Sequence, residues 1–167
     1  MGPTPRLLVV VPTLNEADSL PRLVERFFAH APLAAELLVV DDASPDGTAD
    51  VCRSLQPRHP RLHLLERHGE RGLGRAYTAG LEWGLERGYD ILGTMDADLS
   101  HDPAHLEAML ARLEGHDVVV GSRYVHDGGT VNWGVNRVLL SWTANAFAAS
   151  LLGMPVFLNW GSVQSRP

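Results

Sequence analysis

The sequence contains no lysine; all 14 basic side chains among its 167 residues are arginine. It has a single cysteine, Cys52, so no internal disulfide can form, and a reducing compartment is the expected setting. Positive charge is in deficit. The formal net charge is −6, which excludes a general nucleic-acid binder, because such proteins carry a basic surplus to neutralise phosphates. The N-terminus lacks the basic and apolar stretches of a signal peptide. There is no internal repeat, low-complexity tract or linker that would split the chain. What remains is a length suited to one domain with a genuine core and an ordinary apolar fraction of 45%.

Short apolar runs alternate with amphipathic segments. Leu7–Val11, ended by Pro12, reads as a buried strand. Asp18 and Ser19 offer N-cap oxygens to a helix whose apolar face is Leu20, Leu23, Val24, Phe27 and Phe28, with Pro21 in its first turn. Leu37–Val40 is a second strand, followed by the turn residues Ser44-Pro45-Asp46-Gly47 and a helix from about Thr48 to Leu55. Leu62–Leu65 is a third strand. A Gly-rich loop, Gly69–Gly74, opens a helix through Ala76, Ala79, Gly80, Trp83 and Leu85. Ile91–Met95 is a fourth strand, Pro103–Leu113 a helix, and Asp117–Val120 a fifth strand. Such alternation predicts an α/β fold, a mostly parallel central sheet with helices on both faces. Ligands of these sheets bind at the carboxyl ends of strands. Asn15 and Glu16, Asp41 and Asp42, Asp96 and Asp98, and Ser122 and Arg123 fall at those ends.

Asp96 and Asp98 flank Ala97, and in an extended segment residues two apart point the same way. Both carboxylates then approach one ion, or one holds a metal and the other a ribose. Oxygen ligands suit a hard cation, Mg²⁺ or Mn²⁺. The structural alternative is a solvated turn capping the helix near Pro103. Asp41-Asp42 carries the same choice between capping a turn and accepting hydrogen bonds from a nucleobase or ribose. Gly72-Leu73-Gly74-Arg75 before a helix could let phosphates approach backbone N–H groups. It lacks both the Gly-Lys-Ser/Thr ending of a P-loop and the third glycine of a dinucleotide fingerprint, and is otherwise a tight loop. His63, His68, His101, His105 and His116 show no zinc-ligand spacing with Cys52. His101 reads as structural or peripheral rather than as a general base.

In order along the chain stand Pro12-Thr13-Leu14-Asn15-Glu16, Val40-Asp41-Asp42-Ala43-Ser44-Pro45-Asp46-Gly47-Thr48, Gly72-Leu73-Gly74, Met95-Asp96-Ala97-Asp98-Leu99-Ser100-His101-Asp102-Pro103 and Gly121-Ser122-Arg123-Tyr124. Together these resemble the inverting family 2 glycosyltransferases of GT-A fold, and within them the dolichyl- or polyprenyl-phosphate mannosyltransferases. The resemblance runs from about Arg6 to Pro155. It implies that Pro12, Leu14 and Glu16 line a nucleotide-sugar site with Val39 and Asp41 beside the base, and that Asp96 and Ala97 border the ribose and diphosphate. Asp98, helped by Ser100, would hold Mg²⁺ or Mn²⁺. Leu14 stands where the family usually has Tyr, which keeps an apolar contact with the base. Asp98 and Arg123 would carry the catalysis, and Arg123, Arg137 and Ser141 the acceptor phosphate. Surface solubility is the plain alternative for the two arginines.

The implied reaction is metal-dependent, inverting transfer of a hexosyl group, mannosyl from GDP-mannose, to a polyprenyl phosphate. Glucosyl transfer from UDP-glucose to the same acceptor is the enzymatic alternative. A nucleotidyltransferase would instead carry a Gly-rich Arg/Lys signature after its first strand. Between Arg137 and Arg166 no charged residue occurs. Val138, Leu139, Leu140, Trp142, Phe147, Leu151 and Leu152 make that stretch apolar, but Ser141, Thr143, Asn145 and Ser150 interrupt it, and Gly153 and Pro155 end it. It is too short and polar for a transmembrane span. It reads either as an interfacial helix or as one packed on the core. The resemblance favours peripheral contact at the cytoplasmic face. After Pro155 family members continue with an Asp-Thr-Gly-Gly-Phe-Arg-like stretch, whereas this sequence reads Val156-Phe157-Leu158-Asn159-Trp160-Gly161. The expectation is therefore a transferase domain over 1–155 and an atypical tail over 156–167, arising from truncation or frameshift. A truncated, non-catalytic nucleotide-binding fragment is the corresponding rival.

Overall fold

A strand whose residues are apolar on both faces belongs in the interior of a parallel sheet. The run Leu7-Leu8-Val9-Val10-Val11 builds such a strand, β1 (Leu7–Thr13), every residue of which is buried. In the computed structural model β1 pairs in parallel with β2 (Ala35–Asp41) on one side and β4 (Ile91–Thr94) on the other. β3 (Leu62–Glu66) extends the sheet beyond β2, again in parallel. The structure describes residues 5–32 and 34–121 and the backbone of residues 162–165. The chain divides into two compact units, Met1–Val119 with Gly161–Pro167, and Val120–Trp160. Strands β1 to β4 and the helices that pack on them belong to the first.

Two further strands complete the order β3-β2-β1-β4-β6-β5: β5 (Val118–Val120) and β6 (Ser162–Ser165). β6 runs antiparallel to β4, with Ile91 opposite Ser165 and Gly93 opposite Val163. Residues 156–167 read from sequence as an atypical tail. The four residues Ser-Val-Gln-Ser carry no apolar run to announce a strand, and the pairing is made by their backbone.

α1 (Leu20–His30) buries Leu20, Leu23, Val24 and Phe27, the i, i+3, i+4, i+7 stripe of an amphipathic helix. Ser19 does not make the expected cap. Its own backbone is already helical, and its hydroxyl turns to the carbonyl and carboxylate of Glu16. α2 (Thr48–Leu55) and α3 (Leu73–Glu86) follow. The helix expected over Pro103–Leu113 begins instead with a 3-10 turn, Pro103–His105, before α4 (Leu106–Leu113). The Asp102 carboxylate caps that turn by accepting the Ala104 N–H at 3.1 Å.

Leu8, Val10, Leu38 and Val40 form one sheet face, packed with Ala76 of α3, Tyr89 and Leu92. α3 sits so close that a Cβ on Gly80 would lie 2.3 Å from Val10 Cγ1, and one on Gly84 would lie 2.6 Å from Leu92 Cδ2. Only glycine permits that approach. Val9, Val11, Leu37 and Val39 point to the opposite face and are equally inaccessible. α1 and α2 pack on each other, and α2 packs against β2 and β3. Among the described residues no helix is long and apolar enough to cross a membrane.

The topology fixes where a ligand can enter. From β1 the chain moves to β2 and then β3, and next crosses to β4 on the far side of β1. The strand order reverses between β1 and β4, so the loops leaving their carboxyl ends diverge and open a crevice there.

Candidate functional site

Three loops meet at that edge, and backbone N–H groups stitch the first two together. Beyond β1, the N–H groups of Asn15, Glu16 and Ala17 donate to Ser44 Oγ, Thr48 Oγ1 and Asp46 Oδ2, each at 3.0 Å. Asp46 Oδ1 also accepts the Thr48 N–H at 3.0 Å and the Thr48 hydroxyl at 2.6 Å. The hydroxyl bond, followed by that from Ala17, holds the Asp46 carboxyl below the usual range. The Ser44–Thr48 segment is thus a clamp between loops: its polar side chains are spent on neighbouring backbone, on one another and on Asp41.

The first acidic pair is drawn inward by the same clamp. Asp41 is 1% exposed. Its carboxylate accepts the Ser44 N–H at 2.9 Å and the Ser44 hydroxyl at 2.5 Å, and lies 3.2 Å from the Thr13 hydroxyl. Asp42, also buried, takes the Gly72 N–H at 2.8 Å and pairs with Arg67. Arg71 reaches the Ala43 carbonyl at 2.6 Å. Asp42, Arg67 and Arg71 therefore anchor the Gly-rich loop to the end of β2. Gly72 spends its N–H on Asp42 rather than leaving it to a phosphate.

The loop after β4 is different. Asp96 is half-buried, Ala97 is buried and Asp98 is exposed. Asp98 Oδ1 accepts the Ser100 N–H at 2.9 Å. Partial burial pushes the Asp98 carboxyl up, but hydrogen bonds from the Ser100 hydroxyl and N–H outweigh it, and the net displacement is downward. Asp98 is accordingly ionised at neutral pH. Asp96 Oδ1 accepts the Tyr77 hydroxyl at 2.7 Å. Burial and that carboxylate push the Tyr77 phenol well up, so it stays a donor. His101, buried, accepts the Asp96 N–H on Nδ1 at 2.9 Å, and its Nε2 lies 3.7 Å from Asp96 Oδ2. With Nδ1 accepting, the neutral ring carries its proton on Nε2. That employment is structural.

Of the residues marked in the sequence, Pro12 and Val39 lie within the buried strands β1 and β2, and Ala97 is buried behind the β4 loop. Leu14, 45% exposed, and half-buried Glu16 stand in the β1 loop. Leu14, Asp96 and Asp98 thus flank the β1–β4 crevice, while the Asp41 side chain is turned into its own turn. Ser122, Arg123, Tyr124, Arg137 and Ser141, with the apolar stretch after Arg137, lie outside the described residues. Sequence reasoning missed Tyr77, Arg67 and Arg71. Tyr77 was visible only as the end of Gly-Leu-Gly-Arg-Ala-Tyr, and the partners that give these three residues their roles are 19 to 28 positions away.

Among the described residues, no three His, Cys, Asp or Glu side chains converge as a metal cage. An all-protein cage is not what Mg²⁺ or Mn²⁺ requires, since such ions take one or two carboxylates and fill the remaining positions with phosphate oxygens and water. A single exposed, ionised Asp98 at the mouth of the crevice fits that donor set.

The model of the family described as "Glycosyl transferase family 2" matches residues 8–162. The chain is 45% identical, over 89% of its length, to the undecaprenyl-phosphate mannosyltransferase of Micrococcus luteus, of which it covers 61%. It is 46% identical over 92% of its length to the polyprenol monophosphomannose synthase of Mycolicibacterium smegmatis, covering 58% of that protein. The chain thus spans about three fifths of the length of these two curated relatives. Among solved structures, a mannosyltransferase from Pyrobaculum calidifontis in complex with GDP-Man and Mn²⁺ superposes with TM-score 0.65 at 25% identity, over 97% of this chain and 45% of that one. The glucosyl-3-phosphoglycerate synthase of Mycobacterium tuberculosis, at 19% identity, 96% and 57% coverage and TM-score 0.66, shows the shared fold alone. With strands, crevice and motifs arranged as described, the fold is the α/β fold of GT-A type, and the chain belongs to glycosyl transferase family 2.

Proposed function

We propose that this chain provides the donor side of an inverting glycosyltransferase that moves a mannosyl group from GDP-mannose to a polyprenyl phosphate. The observation that carries the reading is the unequal state of two neighbouring carboxylates at the β1–β4 crevice. Asp96 is held by Tyr77 and His101, whereas Asp98 is exposed and ionised. A ribose hydroxyl suits the first and a phosphate-bridging cation the second. The names of the relatives, and the GDP-Man and Mn²⁺ of the Pyrobaculum neighbour, support the choice of sugar, nucleotide and ion.

In this proposal Asp98, with Ser100 beside it, holds Mg²⁺ or Mn²⁺, which when bound supplies positive charge against the departing diphosphate. Leu14 offers its exposed side chain to the base, with Pro12, Glu16, Val39, Asp41 and Ala97 forming the backing of the nucleotide site. Arg123, Arg137 and Ser141 receive the acceptor phosphate, and the uncharged stretch after Arg137 rests against the cytoplasmic face of the membrane. The acceptor arrives as an anion, its second pKa being near 6, so no protein base is needed. His101, whose Nδ1 is occupied by the Asp96 N–H, is not placed to serve as one. A single in-line displacement inverts the anomeric centre.

Calorimetry of the chain with GDP, in Mn²⁺ and in EDTA, tests the donor half. Equal affinity in the two would remove the metal from the proposal, and preference for UDP would replace GDP-mannose with UDP-glucose. Transfer of label from GDP-mannose into an organic-extractable polyprenyl lipid tests the rest. Arg123→Ala and Arg137→Ala are each expected to abolish that transfer and leave GDP binding intact. Near-normal transfer by both would refute the acceptor assignment. Nucleotide binding without transfer by the unsubstituted chain would leave a nucleotide-binding fragment.

A further inference from the structure

We propose that Tyr77 and His101 are positioning residues for the nucleotide sugar: acting from α3 and from the far end of the β4 loop, they fix Asp96 in one orientation with a single carboxylate oxygen available to a ribose hydroxyl. The inference rests on the reading of this edge as a nucleotide-sugar site. An aspartate at a loop tip is ordinarily loose, because its terminal torsion is broad and nearly two-fold. Here the side chain is held from two sides. Tyr77 Oη donates to Oδ1 at 2.7 Å. The His101 ring, 5% exposed, stands opposite with Nε2 3.7 Å from Oδ2. The same ring closes the loop by accepting the Asp96 N–H on Nδ1 at 2.9 Å. Between these anchors Leu99 is held at φ +62°, a left-handed conformation that a leucine does not adopt unless its surroundings impose it.

The geometry also divides the two oxygens. Oδ1 is committed to a phenol that burial keeps protonated. Oδ2 meets His101 only at 3.7 Å, beyond a direct hydrogen bond, and so retains the capacity to accept from a hydroxyl. Tyr77 acts on a bound nucleotide through Asp96. It also links the helix that follows the Gly-rich loop to the loop that carries Asp98.

The test is calorimetric titration of the full chain with GDP and with 2′,3′-dideoxy-GDP in Mn²⁺, accompanied by thermal melts. Tyr77→Phe keeps the ring and is expected to melt close to the unsubstituted chain while binding GDP roughly tenfold more weakly. With the dideoxy nucleotide that penalty should largely vanish, since the hydroxyl that Asp96 would accept is missing. His101→Leu should lose affinity to a similar degree. His101→Asn, whose amide oxygen can stand where Nδ1 stands, should recover most of it. If His101→Leu does not fold, Tyr77→Phe decides alone. A Tyr77→Phe chain that melts lower yet binds both nucleotides as the unsubstituted chain does would make the hydroxyl a packing feature and overturn the inference. Failure of the unsubstituted chain to bind either GDP or UDP would instead overturn the nucleotide-site reading, and the inference with it.

Discussion

The two acidic pairs at the carboxyl edge of the sheet are close to indistinguishable as sequence, and the fold sends them in opposite directions. Asp41 ends β2 and Asp42 follows it; they are 1% and 5% exposed and spend their oxygens on Thr13, Ser44, Arg67 and the Gly72 N–H. Asp96 and Asp98 follow β4, and the second of them reaches solvent as an ionised carboxylate. The first pair organises loops; the second leaves one charged carboxylate at the surface, where we propose the nucleotide sugar binds. An acidic motif after a strand therefore does not by itself leave its carboxylates free for a ligand.

The sharpest way to break this contrast is to remove one member of each pair. Asp42→Ala leaves the partly buried Arg67 without its carboxylate partner and should cost about 3 kcal/mol of stability, read as a shift in denaturant midpoint. GDP affinity of the folded fraction should change little. Asp98→Ala should do the reverse, weakening Mn²⁺-assisted GDP binding about 100-fold, or about 2.7 kcal/mol, while the melting temperature barely moves. If Asp98→Ala instead unfolds the chain and leaves binding of the remainder intact, the two pairs are alike and both are structural. Asp41→Asn should fall between them. It turns one acceptor oxygen into a donor facing the Ser44 N–H or the Thr13 and Ser44 hydroxyls, for a loss of about 2 kcal/mol by chemical denaturation.

The smallest expected effect concerns Asp102, which belongs to neither pair. The hydrogen bond from Arg26 holds its carboxyl below the usual range. A carboxylate with a lowered folded pKa stabilises fully above its unfolded value, near 3.9, and loses that contribution as pH falls through the folded value. The unsubstituted chain should therefore lose stability more steeply below about pH 4 than Asp102→Asn. The difference should stay under about 1 kcal/mol, because the pair is largely solvent-exposed. Melting curves between pH 3 and 7 would measure it.

The legible part of this molecule is what backbone periodicity and hydrophobicity encode. The runs at Leu7, Leu37, Leu62 and Ile91 announced their strands, and the polar residues behind them marked the edge where the crevice opens. Satisfaction of side chains was not legible. Nothing local says that Ser44 and Thr13 will saturate Asp41, or that Tyr77 will cap Asp96 from another helix, because those bonds exist only once the sheet has assembled. Ser19 misled for the same reason: a free cap oxygen in the sequence became a partner of Glu16. β6 was illegible because its pairing belongs to backbone groups rather than to its four side chains.

Among the described residues, three other than glycine have positive φ: Asn15 at +61°, Ala43 at +52° and Leu99 at +62°. They lie one to each of the loops leaving β1, β2 and β4. Such conformations are costly for Ala and Leu and persist where the surrounding bonds over-determine them. The expense of shaping this edge is therefore met during folding, before any ligand is present. A nucleotide arriving at the crevice should find little left to order, so its association should be fast and its binding should bring only a small change in heat capacity.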